Sequence, residues 1–472
     1  MPNQRVILGL VLAILLLTSV CRAQVKPEQA DLRLLFTGDI MLSQQVQTQY
    51  QLRKRSPWIN LKTLFADADW VSGNFEGAIG NPSDCLSLKN CFATQASILP
   101  ILRDAGLRGL TIENNHSGDV GASGREATRT ALQQAGLMPV SFDSSPQFLR
   151  LRNTTIALVA ITLVRAADGQ VQSIPSLEVA QKLRTARRLA NIVVVSIHWG
   201  AELNDWPTEM QHRQAEWLVD HGADLVVGHH PHVVQAPECV HGRPVFFSLG
   251  NHVFDQKYLE TKEGMIADCR IHAGRLSCDA IRTHTDPGSY LPDIAGGDSK
   301  SADVLNGCSP ALTPALEIGG YEIRPEPWSA DASEDGIALT GWKKGTLQWR
   351  TPRRKLLSID SGRLAGADAE PLLLILERHS SSLDNEEGVR PYVYAVGEHG
   401  LIARWRGSAL AWPLLDAAVD DASGTICALH RGDSFLSLDR DSVTTRTAVY
   451  RWNGFGFSGV EDVAEHCAHS VW

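Results

Sequence analysis

The sequence predicts a layered α/β domain over residues 31–285, followed by a small all-β C-terminal domain. Three observations carry this. Short apolar, β-branched runs alternate with helix-like segments as far as residue 285. A stretch rich in Pro, Gly, Asp and Ser, 286–335, then breaks the pattern and reads as a linker or long loop. Beyond it, residues 336–472 lose the helix signal and become aromatic-rich and strand-like.

The element assignments follow in chain order. Strands are expected at 32–36, 69–73, 107–112, 155–164, 191–197, 224–228 and 244–250. Helices are expected at 124–136 and 208–222, each ending on a glycine, Gly136 and Gly222. In the C-terminal region "ARWRGSALAWPLLDA" at 403 and "YRWNGFGFSGVEDV" at 450 form a weak repeat, with "GWKKGTLQW" at 341 as a degenerate third copy. That period is the size of a propeller blade, so two or three blade-like units are expected, too few to close a ring.

At 472 residues the chain exceeds one ordinary core, and 43% hydrophobic with 21% charged residues marks it as globular. Lys+Arg 44 against Asp+Glu 53 gives a net charge of -9, which argues against nucleic acid held on a broad basic face. A compact site can still bind an anion where a metal supplies the positive charge. Arg125, Arg165 and Arg213 are the local alternatives, more simply read as solvated positions.

Residues 1–23 have the parts of a secretory signal: Arg5, an apolar run over 6–20, and small residues before Gln24. An uncleaved anchor and a lipid-bearing Cys21 are the alternatives, and the only membrane contacts expected. Export to the periplasm or cell surface of a bacterial envelope fits the remaining cysteines, an even number. "CRIHAGRLSC" reads as a hairpin turning at Ala273-Gly274, which sets Cys269 opposite Cys278. Cys85 and Cys91 share a short polar loop, and Cys427 and Cys467 share the C-terminal region.

Polar residues collect where strands end. The expected strands run out into Asp39, into Asn74 and Glu76, into Asn114, Asn115, His116 and Asp119, into His198 and Glu202, into His229, His230 and His232, and into Asn251 and His252. In an open α/β sheet these carboxyl ends share the edge where ligands bind. Carboxylates mixed with imidazoles suit manganese, zinc or iron, and no cysteine lies among them to mark a structural zinc. Pro231 restricts the loop between His230 and His232, which is expected to be extended with both rings on one side. Glu202 is a candidate base, or a carboxylate that orients a ligand imidazole.

The motifs "FTGDIM", "GNFEGAIG", "NNHSGDVG", "IHWGAE", "GADLVVGHHPHVVQ" and "FFSLGNHVFDQ", in this order over roughly 32–285, resemble the CapA family. Those are bacterial capsule-synthesis proteins linked to poly-γ-glutamate, on the calcineurin-like metallophosphoesterase fold. The resemblance implies a four-layer α/β/β/α sandwich. It implies one or two divalent ions held by Asp39, Glu76, Asn115, His198, His230 and His232, with His116 as proton donor or transition-state stabiliser. Asn74, Asn114, Asp119, His229 and Asn251 would then steady the ligands or meet substrate. It further implies an anionic polymer or phosphate-ester substrate, metal-dependent hydrolysis or transfer, and envelope polymer-synthesis proteins as partners. Catalytic phosphoesterases carry Asp-x-His where this chain has Asp39-x-Met41, which leaves open a non-catalytic module that binds an anionic polymer. His252, where relatives usually carry Phe, either adds a polar group to the site or points outward, the latter being the expectation.

Overall fold

The computed structural model describes residues 31–460 and Cys467, apart from 88–89, 287, 296–304, 306, 331–334, 367–369, 381–386, 407–409, 411–412 and 433–443. The expected signal segment and Cys21 lie outside the described residues. Two sheets dominate the α/β part. The first runs in the order Pro292–Ile294, Arg275–Thr285, Glu263–His272, Leu32–Ile40, Trp70–Phe75, Gly109–Thr111, Met138–Val140. The second runs Glu238–Val240, Arg243–Phe246, Leu225–His229, Ile192–His198, Thr154–Thr162, Gln147–Leu151.

Alternation along the strands decides how the sheets stack. Leu34, Phe36, Met265 and Ala267 face Leu158, Val194, Val227 and Phe246, forming the core between the sheets. The opposite face of the first sheet, with Leu35, Val71 and Leu110, packs on Val46, Phe65, Leu102 and Leu132 of its helices. The opposite face of the second, with Val159, Val195 and Val226, packs on Leu183 and Ala186 of Leu177–Leu189 and Leu218 of Glu209–Asp220. Helix, sheet, sheet, helix is the four-layer sandwich expected from the sequence.

Two expectations need correction here. Residues 244–250 do not form one strand. Arg243–Phe246 lies in the second sheet, and the chain then crosses so that Asn251–Val253 pairs with Leu32–Ile40 of the first. Gly250, at φ +66, lies between Ser248–Leu249 and Asn251–Val253. The stretch 286–335 is also more than a linker: Pro292–Ile294 joins the first sheet, and Leu316–Ile318 and Tyr321–Pro325 open a new one. Cys308 ties this stretch to Cys239 of the second sheet. The other bridges are Cys85–Cys91, Cys269–Cys278 and Cys427–Cys467. Cys269 and Cys278 are cross-strand partners in the hairpin whose turn, Ala273-Gly274, has positive φ at both positions.

Among the described residues, the C-terminal region holds three four-stranded antiparallel sheets, over 316–350, 356–406 and 414–460. The Trp342 and Trp452 copies of the repeat lie where a third strand leads into a fourth. The Trp405 copy falls out of step, within the fourth strand Gly400–Arg406, so the recurrence is one of strand order more than of sequence.

Candidate metal centre

Parallel pairing brings the strand ends to one edge. Asp39 is in register with Asn74 and with Asn251, and His198 with His229. Close approach here requires glycine twice. A Cβ on Gly38 would sit 2.0 Å from the Gly250 carbonyl oxygen, and one on Gly228 would sit 2.0 Å from that of Phe247.

Asp39 is fully buried and is the hub. Its Oδ1 accepts from Asn74 Nδ2 at 2.9 Å and lies 3.0 Å from His229 Nδ1. Its Oδ2 accepts from the His230 backbone N–H at 3.3 Å and lies 3.3 Å from His232 Nδ1. Burial alone would raise its pKa, but His229 and His232 outweigh that and hold it well below the carboxylate range. Glu76, equally buried, goes the other way. Burial, helped by the Asp39 charge and opposed by His232, pushes its carboxyl well above the usual value.

The imidazoles divide similarly. Burial, then the neighbouring His230, lowers His198 well below the normal histidine value. Burial, then His232, lowers His230 to about 4. Both are therefore neutral, the form that ligates a metal. For His232 burial opposes the charged form, but Glu76 and Asp39 prevail and hold its pKa at about 9. His198 Nε2 is 2.8 Å from Asn115 Oδ1, which brings the Asn-His motif into the cluster.

The His-Pro-His loop is not extended as expected. His230 and His232 have φ of 97° and 60°, a backbone region that side chains other than glycine seldom enter. The rings still face the same site, 5.9 Å apart. Strain kept at two polar residues so close in sequence is common where a site fixes their direction.

Around this core, Asn114 donates to Asn74 Oδ1 at 3.0 Å and to the Phe75 carbonyl at 2.8 Å, linking two strand ends. Asn251 Oδ1 is 3.0 Å from His232 Nδ1. His116 Nδ1 lies 3.0 Å from Asp119 Oδ2, and its Nε2 stands 4.0 Å from Glu76 Oε1. Glu202 is exposed at the edge, held through neighbours: Leu203 N–H donates to the Pro231 carbonyl, and Gln235 donates to the Asn204 carbonyl. Gln235 in turn accepts from Gln211 of the capping box that starts Glu209–Asp220.

The donors fit a divalent cation. One ligand atom each from Asp39, Glu76 and His198 lie within 4.8 Å of one another, as do those of Glu202, His230 and His232. Glu76 Oε1 and His230 Nδ1 are buried with no hydrogen-bond partner. An orphaned acceptor costs about 1–3 kcal/mol, and two in one cluster of carboxylates and imidazoles are atoms that a divalent cation would satisfy.

Sequence reasoning missed Phe92 and Phe254. The Phe92 ring stacks on His116 at 3.8 Å, and its backbone N–H donates to Asp119 Oδ2 at 2.7 Å. Phe254 lies 4.7 Å from the His232 ring. Phe92 directly follows the Cys85–Cys91 bridge, the one local signal that could have flagged it. Two expectations change, those for His252 and Arg125. His252 is buried between Trp58 and Phe65 and points neither outward nor into the site. Met41 is buried with its sulfur accepting from Ser43 N and Oγ, so it does not replace a histidine ligand. Arg125 is not solvated: it grips Asp168 and Ser117, and Ser117 holds the Asn114 carbonyl.

Residues 33–256 match the sequence model of the bacterial capsule synthesis protein PGA_cap. The chain is 28% identical over 270 residues to the PGA biosynthesis protein CapA of Bacillus subtilis, covering 53% of this chain and 71% of that one. It is 29% identical over 296 residues to the capsule biosynthesis protein CapA of Bacillus anthracis, covering 56% and 70%. Among solved structures, a phosphatase from Mycoplasma pneumoniae is similar over 55% of this chain and 96% of that one, with 13% identity and a TM-score of 0.37. At that level it adds nothing to the architecture described above. On its motifs, the matched sequence model and these relatives, the α/β half of the chain is similar to the CapA family of bacterial capsule-synthesis proteins.

Proposed function

We propose that the chain is an exported envelope protein that hydrolyses or transfers a bond in poly-γ-glutamate or a related anionic polymer, with a divalent ion and beside polymer-synthesis proteins. The observation that carries the metal half is the pair of orphaned buried acceptors, Glu76 Oε1 and His230 Nδ1, in a nest of potential ligands. The polymer half is supported by what the relatives are called. Export is supported by the disulfides, and among the described residues no helix is long and apolar enough to cross a membrane.

Asp39, Glu76, Asn115, His198, His230 and His232 would hold manganese, zinc or iron. Such an ion supplies Lewis acidity and a more acidic water. The chain's own residues do the rest. Asp119 and Phe92 fix the His116 ring so that Nε2 faces the cluster, where it hands a proton to the departing group. Glu202, at the open side near His230 and His232, is placed to receive one.

Met41 supports a second reading. With its sulfur turned to Ser43, the site lacks one imidazole of the catalytic phosphoesterase pattern, which suits a module that binds polymer without cleaving it. Turnover separates the readings. The manganese- or zinc-loaded protein should shorten γ-linked polyglutamate or release nitrophenol from a nitrophenyl phosphodiester, and His116→Ala should lose at least tenfold in rate with metal retained. Polymer binding with no turnover of either compound would leave the binding module.

A further inference from the structure

The sheets over 316–350 and 356–406 stand side by side, outside the family match, and a cleft of about 490 Å³ opens between them. Its floor is apolar, built from Ile337, Leu339, Leu356 and Ile375. Its rim is cationic: Arg350, Arg354 and Arg406 face it with His399, against a single acid, Glu377. With Glu326 beside Arg350 just outside the lining, three arginines stand against two carboxylates, still a local excess on a chain whose net charge is -9.

The arginines are set for carboxylates. Arg354 NH1 donates to Glu377 Oε1 at 3.1 Å and to the Tyr394 hydroxyl at 3.2 Å. Arg350 reaches Glu326 at 2.7 Å with more than half of its side chain in solvent. Arg406 is exposed and lies opposite Tyr392 on the neighbouring strand. The Tyr392 and Tyr394 rings run nearly parallel, 6.2 Å apart, and form one wall. A guanidinium fork matches a carboxylate with two N–H donors, and apolar floor and tyrosine faces match methylene groups.

We propose that this cleft is a groove for an extended polycarboxylate whose charges are separated by methylene spacers. The arginines take successive carboxylates and the spacers lie on Leu339, Ile375 and the tyrosine wall. A polyphosphate has no spacer to use the floor, and a neutral glycan has no charge to use the rim. The proposal extends the polymer reading above but rests on residues outside the metal centre, so either can fail alone.

The test is calorimetric titration of the full chain carrying Asp39→Ala, which removes the metal site as a competitor, with γ-linked decaglutamate at low and physiological salt. Chain-matched polyphosphate and neutral dextran are the comparisons. Decaglutamate should bind, weaken as salt screens the rim, and weaken at least tenfold further in Arg350→Glu/Arg406→Glu. Arg350→Lys/Arg406→Lys keeps the charge without the fork and should fall between; it also decides the matter if the reversal disturbs folding. Undiminished binding in both double variants, no binding at low salt, or polyphosphate bound as tightly would overturn the proposal.

Discussion

Where the C-terminal sheets meet the helix Leu177–Leu189, buried charge has its partner. Asp416 is fully buried and accepts from two nitrogens of Arg184, at 3.2 and 2.6 Å. Asp360, also buried, pairs with Arg188 at 2.5 Å and accepts from Val419 N–H. At the strand-end cluster, equally buried Glu76 Oε1 and His230 Nδ1 have no hydrogen-bond partner, and Glu76 Oε1 has a looser ion contact with His232 Nε2 at 3.6 Å. The paired charges lock two sheets and a helix into one register. The atoms without a hydrogen-bond partner serve no architecture, and a bound cation would offset their cost. His252 is the control, because its ring nitrogens are also orphaned, yet it lies among Trp58 and Phe65 with no second donor to share an ion.

The largest expected effect falls on the paired side. Arg184→Ala should cost about 3–5 kcal/mol in denaturant unfolding at pH 7.5, the usual penalty for leaving a buried charge alone. Burial raises the Asp416 pKa and Arg184 opposes that rise, so the loss should shrink at pH 5, where the abandoned carboxyl can take a proton. Metal content should not change. A loss under 1 kcal/mol would mean that the pair is decorative and break the contrast.

His252 comes next. Burial holds its folded pKa at about 3, below its unfolded value, so between the two only the unfolded chain carries the proton. Stability should therefore fall as the pH drops from about 6.5, by roughly 2 kcal/mol at pH 5. His252→Phe should remove that slope, read as a difference in denaturant midpoints between pH 7.5 and pH 5. Parallel slopes in both proteins would show that the ring does find a partner.

Two smaller effects sharpen the orphaned side. In the metal-free protein His232, with a pKa of about 9, holds a proton that a cation must displace. Metal affinity should thus rise with pH up to about 9, and titration in buffers of different ionisation heat should show release of about one proton. Glu76→Gln removes a carboxyl whose burial opposes its charged form and whose charge is offset by His232, so the stability of the metal-free chain should change by no more than about 1 kcal/mol. The same change should weaken metal binding at least tenfold.

Much of the site was legible because a strand end is a local pattern. Asp39, Asn74, Glu76, His198 and His229 each follow an apolar run, and parallel pairing needs no more to gather them. What escaped depends on distance or backbone shape. The left-handed turns at His230 and His232, the crossing that delivers Asn251, and the stacking of Phe92 on His116 have no signature in neighbouring residues. His252 looked like part of the cluster because adjacent strand residues point to opposite faces, and only packing shows which face meets the site. The C-terminal sheets were legible as strands, while their register was not, since the Arg-Trp motif falls on different strands.

The most direct test is metal content by elemental mass spectrometry on the purified protein, beside a His230→Ala/His232→Ala variant of matched circular dichroism. One or two equivalents of manganese, zinc or iron in the parent, lost in the variant, is the expected result. No metal in either after incubation with all three ions would contradict the account.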